Sequence, residues 1–254
     1  QMDKVVLARE LRTKFNDSLK IESVLGILLE EQPSCYIYAF EREDNCFIGA
    51  SPEQLVQKES EIVKSMCLAG SIARGKTIAE DESLGDTLLS DSKNLQEHDF
   101  VVQMIGNSLR AVCQQITTGE RPELYKLKHI QHLFTPVVGQ LKDDVSIFQL
   151  IERLHPTPAL GGYPKEISLE TIREVELLDR GWYAGPIGWM NFNGDGEFAV
   201  AIRSALLQEK EASLFAGCGI VENSDPESEY VDTRIKFNPM LSALGGFRHH
   251  ESNE

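Results

Sequence analysis

The chain has 254 residues, of which 41% are hydrophobic, and it carries a formal net charge of -15. This length and composition predict a soluble globular protein with a substantial core, and no run of about 18 apolar residues indicates a membrane span. The acidic balance argues against a nucleic-acid backbone as partner, because nucleic-acid-binding proteins usually present a basic surface stripe.

The 5 cysteines are scattered and lack the paired spacing of a metal site. They are typical of reduced thiols in a cytosolic protein, and no basic, hydrophobic leader marks secretion, so we expect a cytoplasmic location. An anionic ligand of so acidic a protein needs local positive charge, from a few Lys or Arg side chains, backbone amides, helix N-termini or a metal ion.

Short apolar or alternating runs dominate the first part of the chain, at residues 34–40, 46–51, 54–58 and 61–68. Polar turns separate them, and the pattern predicts an antiparallel meander. From Leu95 the apolar residues recur at steps of three and four, which predicts one long helix. The stripe consists of Val102, Ile105, Leu109, Val112 and Ile116.

The sequence pattern of the second part of the chain predicts helices at 146–154 and 168–179, and then strands at 182–192, 197–208 and 211–217. Glycines and an asparagine within 193–196 supply the positive φ of a tight hairpin between the first two strands. A last helix begins at 224–227, where Ser-Asp-Pro-Glu combines a capping residue, an early proline and an acid.

This order of elements predicts an α+β fold of mainly antiparallel sheets flanked by helices. We find no internal repeat and no linker, so the sequence predicts one domain over residues 1–246. Residues 247–254 form a polar C-terminal tail that we expect to fray.

Carboxylates are the first candidates for chemistry. Glu229, Asp232 and Lys236 share one face of the last helix, and Tyr230 with other apolar residues is expected on another face. A half-buried surface helix with an ordinary Asp232–Lys236 pair explains this spacing equally well. Glu97 near a helix start is likewise favoured by the helix dipole alone. These carboxylates indicate a magnesium site only if they converge.

Glycine-rich segments at 68–71, 160–162 and 216–219 are a second signal. Turns or bulges are the default explanation, although such glycines also let backbone amides approach a ligand carboxylate. No phosphate-binding loop and no G-x-S-x-G elbow occurs, so nucleotide binding and acyl transfer have little support. His132, alternating with apolar residues, is more typical of a structural histidine.

Taken together and in order, these segments resemble the chorismate-utilising enzymes, a family that includes anthranilate, aminodeoxychorismate, salicylate and isochorismate synthases. The resemblance covers nearly the whole chain. It rests on residues 4–9, 49–53, 68–71, 97–98, 155–162, 180–185, 202–205, 216–221 and 229–236.

The resemblance also favours one branch of the family. Lys4 stands where the water-adding members keep a lysine base, so no glutamine amidotransferase subunit is expected. Ala69 replaces the nucleophilic lysine of aminodeoxychorismate synthases, and Ala159 replaces a threonine of salicylate-forming relatives. An isochorismate synthase, of menaquinone type, is therefore expected. A salicylate synthase, a siderophore-pathway isochorismate synthase and a non-catalytic homologue remain alternatives.

By the same resemblance, Lys4 is expected to activate water for attack at ring carbon 2 of chorismate. Glu53 is expected to protonate the hydroxyl leaving carbon 4, with its pKa raised by burial and nearby negative charge. Mg²⁺ is expected on Glu97 and Asp232, with Glu229 joined through water. Asp232 stands where most relatives have glutamate, and Asn94 where some relatives have another acid.

The remaining residues implied by the resemblance are expected to contact the substrate. Arg203 and Tyr183 would hold the enolpyruvyl carboxylate, Lys236 would meet the ring carboxylate, and Ala159 and Leu160 would line the ring. The other members of this expected set are Gly70, Ser71, His132, Gly217 and Gly219.

Overall fold

In the computed structural model, which describes residues 2–245, the chain forms two antiparallel β-sheets with helices packed around them. The first sheet consists of β1 (Lys4–Lys14), β2 (Tyr36–Arg42), β3 (Asn45–Ser51), β9 (Gly162–Tyr163), β12 (Ser204–Gln208) and β13 (Glu211–Val221). Its order is β2-β3-β12-β13-β1-β9. The predicted α+β class is confirmed, whereas the predicted tail at 247–254 lies outside the described residues.

The second sheet has the order β10-β11-β4-β5-β8-β6, with β7 also paired to β8. Its strands are β4 (Gln54–Glu59), β5 (Ile62–Ala73), β6 (Cys113–Thr118), β7 (Glu123–Lys126), β8 (Ile130–Leu141), β10 (Pro186–Met190) and β11 (Gly196–Val200). The predicted hairpin at 193–196 joins β10 to β11, and Gly194 there has φ +81°.

The helices are α1 (Ile21–Glu31), α2 (Ile78–Ser90), α3 (Ser92–Arg110), α4 (Ile147–Leu154), α5 (Lys165–Val175) and α6 (Pro226–Ala243). None of these helices, within residues 2–245, is both long enough and apolar enough to cross a membrane. Helix α6 begins as predicted, because the Asp225 side chain accepts a hydrogen bond from the Ser228 amide and Pro226 occupies the first turn.

The predicted meander is wrong in one respect. β2 and β3 belong to the first sheet, whereas β4 and β5 belong to the second, so the chain crosses between sheets at Pro52 and Glu53. The strand predicted at 197–208 is also two strands, in different sheets, and they are separated at Arg203, whose φ of 52° interrupts an extended chain.

Helix boundaries differ from the predicted ones. α3 begins at Ser92 and ends at Arg110, so Val112 and Ile116 lie beyond it, the latter in β6. An apolar stripe at helical spacing therefore continued by chance into a strand. α5 covers Lys165–Val175 rather than 168–179. Tyr230 of α6 is half-exposed rather than part of the buried face.

Two apolar clusters hold these layers together. The larger one joins Phe47, Val63 and Phe215 of the two sheets to Ile105 of α3 and Leu150 of α4. The smaller one packs α1 and α6 against the first sheet. Burial of apolar surface is the dominant favourable contribution to stability, so the sheets, α3 and α6 are held in fixed relative positions.

Candidate active site

A cavity of about 380 Å³ opens where α3 and α6 approach both sheets. Every residue that the sequence singled out lines it, with the exception of Lys4. These lining residues are Glu53, Gly70, Ser71, Glu97, His132, Ala159, Leu160, Tyr183, Arg203, Gly217, Gly219, Glu229, Asp232 and Lys236. The volume falls within the range of roughly 300–1,000 Å³ that is usual for small-molecule sites.

The two places where the chain crosses between sheets lie side by side at this cavity. The Ala50 amide donates to the Arg203 carbonyl at 3.1 Å, and the Val200 amide donates to the Glu53 carbonyl at 3.1 Å. These bonds replace ladder bonds that the strands lose on leaving their sheets. They bring Glu53 and Arg203, 150 positions apart in the numbering, to one wall of the cavity.

Arg203 is a buried cation held by a histidine. Its Nη2 lies 3.2 Å from Nε2 of His132, whose Nδ1 lies 3.2 Å from the Gly70 carbonyl. Burial, helped by Arg203 and Lys236, lowers the pKa of His132 to about 3, so the ring is neutral. Nδ1 then donates to Gly70 and Nε2 accepts from the guanidinium. Within residues 2–245, no carboxylate forms an ion pair with Arg203.

Glu53 is almost fully buried, and burial raises its pKa to about 8. The expectation of a raised pKa agrees with this value, but the expected contribution of nearby negative charge is wrong. The neighbouring charges are Lys4, Arg203 and Lys236, and all of them lower the pKa. Desolvation outweighs them, so Glu53 is a neutral acid able to donate a proton near neutral pH.

Each of the three candidate metal ligands is paired with a lysine. Glu97 Oε1 lies 3.1 Å from Lys4 Nζ, and Asp232 Oδ2 lies 2.5 Å from Lys236 Nζ. Glu229 Oε1 lies 2.5 Å from the Nζ of Lys93, a lysine that the sequence did not single out. Across the part of the chain that is described, no three His, Cys, Asp or Glu side chains converge closely enough to hold a metal ion.

Asp232 is nevertheless held firmly at the cavity wall. Its Oδ1 accepts a hydrogen bond from Ser71 Oγ at 2.8 Å. Burial alone would raise the pKa of Asp232, but Lys236, Ser71 and Arg203 outweigh burial and leave the pKa below its ordinary value. The shorter side chain therefore remains ionised, as a metal ligand must be.

Lys4 lies behind the cavity wall. It is only 1% exposed, and its Nζ makes no hydrogen bond, although Glu97 is within ion-pair distance. The close approach of these side chains depends on Gly219 of the neighbouring strand. A Cβ at Gly219 would lie 2.2 Å from Glu97 Oε1 and 2.8 Å from Lys4 Cε.

A bulge in β5 shapes another part of the cavity wall. The register of β5 against β8 shifts between Ala69 and Ser71, and Gly70 adopts φ +76°, which only glycine tolerates readily. His98, next to Glu97 on α3, donates from Nδ1 to the Ala69 carbonyl across 3.2 Å. This contact ties α3 to the bulge and orients Glu97 toward the cavity.

Apolar and aromatic groups complete the wall. Tyr183 stacks on Phe215 with ring centroids 5.5 Å apart, and the Leu160 carbonyl accepts from Arg180 Nη1 at 3.0 Å. Ala159 lies beside Leu160. The cavity wall therefore combines aliphatic and aromatic surface with charged groups.

Several polar lining residues were not predicted as site residues, and Lys93 and Asn94 are two of them. Lys93 precedes Glu97 by one helical turn, and this i, i+4 spacing was a signal in the sequence. Burial lowers the pKa of Lys93, but Glu229, Glu97 and Asp232 more than offset it, so the pKa lies above its ordinary value. Asn94 was considered only as a position at which some relatives have an acid. Its Oδ1 accepts a hydrogen bond from the Ser71 amide at 3.3 Å.

Fold and cavity together define a protein with a polar cavity of small-molecule size between two antiparallel sheets. The chain belongs to the chorismate binding enzyme family, whose model matches residues 1–245. It is 55% identical to isochorismate synthase MenF of Bacillus subtilis over 248 residues, which make up 98% of this chain and 53% of that protein. The resemblance seen in the sequence is thereby confirmed.

Solved structures agree with this assignment. The menaquinone-specific isochorismate synthase MenF of Escherichia coli matches 96% of this chain and 56% of that one, with a TM-score of 0.88 and 30% identity. Anthranilate synthase component I of Streptococcus pneumoniae matches 94% of this chain and 53% of that one, with a TM-score of 0.83 and 29% identity. The chain spans about half the length of these relatives.

Proposed function

We propose that the protein is an isochorismate synthase, which converts chorismate reversibly into isochorismate. The observation that carries this proposal is the buried Arg203 guanidinium, which faces the cavity without a carboxylate partner. A buried charge is costly unless it is paired, so this cation calls for an anionic ligand. Chorismate carries two carboxylates, and the kinship with isochorismate synthase MenF supports this choice.

The proposed substrate contacts follow from the cavity. Arg203 and Tyr183 bind the enolpyruvyl carboxylate, and Lys236 binds the ring carboxylate. Lys236 already donates to the Gly217 carbonyl at 3.0 Å and is therefore held at the cavity edge. Gly217 leaves room for the Tyr183 hydroxyl, since a Cβ there would lie 3.0 Å from that oxygen. The amides of Gly70 and Gly219 are further donors.

Mg²⁺ is the proposed cofactor, with Glu97 and Asp232 as ligands and Glu229 joined through water. The donor set fits the ion in chemical type, because all three side chains offer the hard oxygen ligands that Mg²⁺ prefers. In the described residues the three carboxylates do not converge while each faces a lysine, so they would have to turn toward the ion. The same carboxylates already face cationic ammonium groups, so the cavity accommodates positive charge at this place. When bound, the metal ion would supply charge neutralisation for the ring carboxylate.

The chain's own side chains account for the proton transfers. In the proposed reaction Lys4 acts as the neutral amine, after its own proton has left, and takes a proton from water as the water oxygen bonds to ring carbon 2. Glu53, which is neutral below about pH 8, gives its proton to the hydroxyl that leaves carbon 4. One water enters and one leaves, so the conversion is an isomerisation. Because Lys4 lies behind Glu97, its flexible side chain must reach past that carboxylate.

Ala159 supports a reaction that ends at isochorismate rather than salicylate, by the family pattern described above. Water rather than ammonia as nucleophile means that no glutamine amidotransferase partner is needed. A role in menaquinone synthesis is the proposed pathway, supported by the likeness to the menaquinone-specific enzyme of Escherichia coli.

The test is incubation of the purified protein with chorismate and Mg²⁺, with separation of products by chromatography and EDTA as control. We expect a magnesium-dependent equilibrium mixture of chorismate and isochorismate. Salicylate with pyruvate would instead identify a salicylate synthase. Tight binding of chorismate without any turnover would identify a non-catalytic homologue.

A further inference from the structure

Lys93 lies in the first turn of α3 and bridges to α6. Its Nζ is 2.5 Å from Glu229 Oε1, and Glu97 follows it by one helical turn on the same helix. Both Lys93 and Glu229 line the cavity. An ammonium group thus occupies the immediate surroundings of two of the three candidate metal ligands.

The three lysines that pair with these carboxylates differ in how easily each can withdraw. The Lys4 side chain is 0% exposed, so it cannot extend into bulk solvent from where it lies. Lys236 also donates to the Gly217 carbonyl, so it is held by a second bond. Lys93 is 24% exposed and, within residues 2–245, has Glu229 as its hydrogen-bond acceptor. Long lysine stems readily extend into solvent, so Lys93 can release its carboxylate at the lowest cost.

We propose that Lys93 is an internal counterion that holds Glu229 in the metal-free protein and competes with Mg²⁺ for it. This inference rests on the proposed function in one respect, the identity of the metal ion. Metal binding then requires Lys93 to leave Glu229, and the affinity for Mg²⁺ reflects the difference between the two cations. Lys93 is a positioning residue in this account and takes no part in the proton transfers.

Electrostatic attraction predicts whether replacement of Lys93 raises or lowers the affinity for Mg²⁺. Removing a unit positive charge a few ångströms from the carboxylates strengthens their attraction for a cation and abolishes the competing ion pair. If Lys93 instead supported the ligands after metal binding, its removal would weaken the affinity. The two accounts therefore predict opposite changes.

The experiment is calorimetric titration of the metal-free protein with Mg²⁺ alone, without substrate. Lys93→Met is expected to bind Mg²⁺ about tenfold more tightly than the wild type. Lys93→Arg, which keeps the charge, is expected to bind like the wild type. Lys58→Met is the matched control, because Lys58 pairs with Asp195 away from the cavity at 3.7 Å and is similarly shielded, with 13% of its side chain exposed.

Thermal unfolding in EDTA provides a second measurement. Lys93→Met should unfold at a lower temperature than the wild type in EDTA and should gain more from added Mg²⁺. Equal or weaker Mg²⁺ binding by Lys93→Met, beside a wild type that binds, overturns the inference and leaves the proposed metal in place. If neither protein binds Mg²⁺, the metal of the proposed function fails and the inference fails with it.

Discussion

Replacement of Gly219 by alanine tests how tightly the carboxylate wall of the cavity, formed by Glu97, Glu229 and Asp232, is packed. Gly219 lies in β13 opposite Val6, and its φ is outside the left-handed region, so alanine meets no backbone penalty there. The new methyl group is the entire perturbation. It would lie 2.2 Å from Glu97 Oε1 and 2.8 Å from Lys4 Cε.

The size of the effect follows from these distances. Carbon and oxygen atoms that do not bond approach to roughly 3.5 Å, so the Glu97 carboxylate must move by about 1 Å. Overpacking of this kind costs about 1–3 kcal/mol of unfolding free energy. A misplacement of about 1 Å at a catalytic group costs about a hundredfold in rate, so kcat/KM for isochorismate formation should fall by that factor.

The assay combines urea unfolding with isochorismate kinetics on the same preparations. Gly26→Ala serves as control, because a Cβ at Gly26 in α1 has no atom within 4 Å. The unfolding free energy of Gly26→Ala should be about 0.5–1 kcal/mol higher than that of the wild type, and its turnover should be unchanged. If Gly219→Ala stays within about 0.5 kcal/mol of the wild type with unchanged kinetics, the steric argument is refuted.

Three further substitutions test individual side chains. Folded Glu53 holds its proton up to about pH 8, whereas the unfolded chain loses it near 4.5, so the unfolding free energy of the wild type should fall between these values, by at most about 5 kcal/mol. Glu53→Gln should show neither this decrease in unfolding free energy nor turnover, and urea unfolding at pH 5 and pH 8.5 together with product assays would test both. If the unfolding free energy of Glu53→Gln depends on pH as that of the wild type does, the assignment is contradicted. Arg203→Met removes a buried unpaired charge, so it should raise the melting temperature while weakening chorismate binding by about tenfold or more, and a lowered melting temperature with intact binding would refute the anion site. Lys4→Met should reduce isochorismate formation by about 10²–10⁴-fold while calorimetry still detects chorismate binding, and undiminished water addition excludes Lys4 as the base.

Local signals predicted the elements that carry strong capping or turn chemistry. Asp225 and Pro226 marked the start of α6. The helix predicted over 146–154 also begins where expected, and in the structure Ser146 forms a capping box there with Gln149. α2 was missed although its Thr77 cap accepts from the Glu80 amide, a sequence signature that was available. α1 was also not predicted. Lys20 makes no side-chain capping hydrogen bond at its start, so the sequence carries no capping signal there.

Contacts between residues that are far apart in the sequence could not be predicted from such local signals. The runs around Pro52 and Arg203 look like continuous strand sequence, because the alternation that marks a strand does not record which sheet it joins. Motif resemblance predicted the lining of the cavity well, since it carries information about the whole fold. It did not predict the Lys93–Glu229 pair, whose members are 136 positions apart and whose contact depends on how α3 meets α6.

The pairing of β1 with β13 has a consequence for the order of assembly. Lys4 is opposite Val221 and Lys14 is opposite Glu211, so the strand nearest the start of the described chain pairs with one that lies 197 to 217 positions later. Such distant contacts close late in folding, because a long loop loses its freedom before the contact is made. During synthesis the carboxylate wall therefore cannot form until β13, and α6 after it, have left the ribosome. Partly made chains should be unable to bind chorismate, and ligand binding should appear in a single late step.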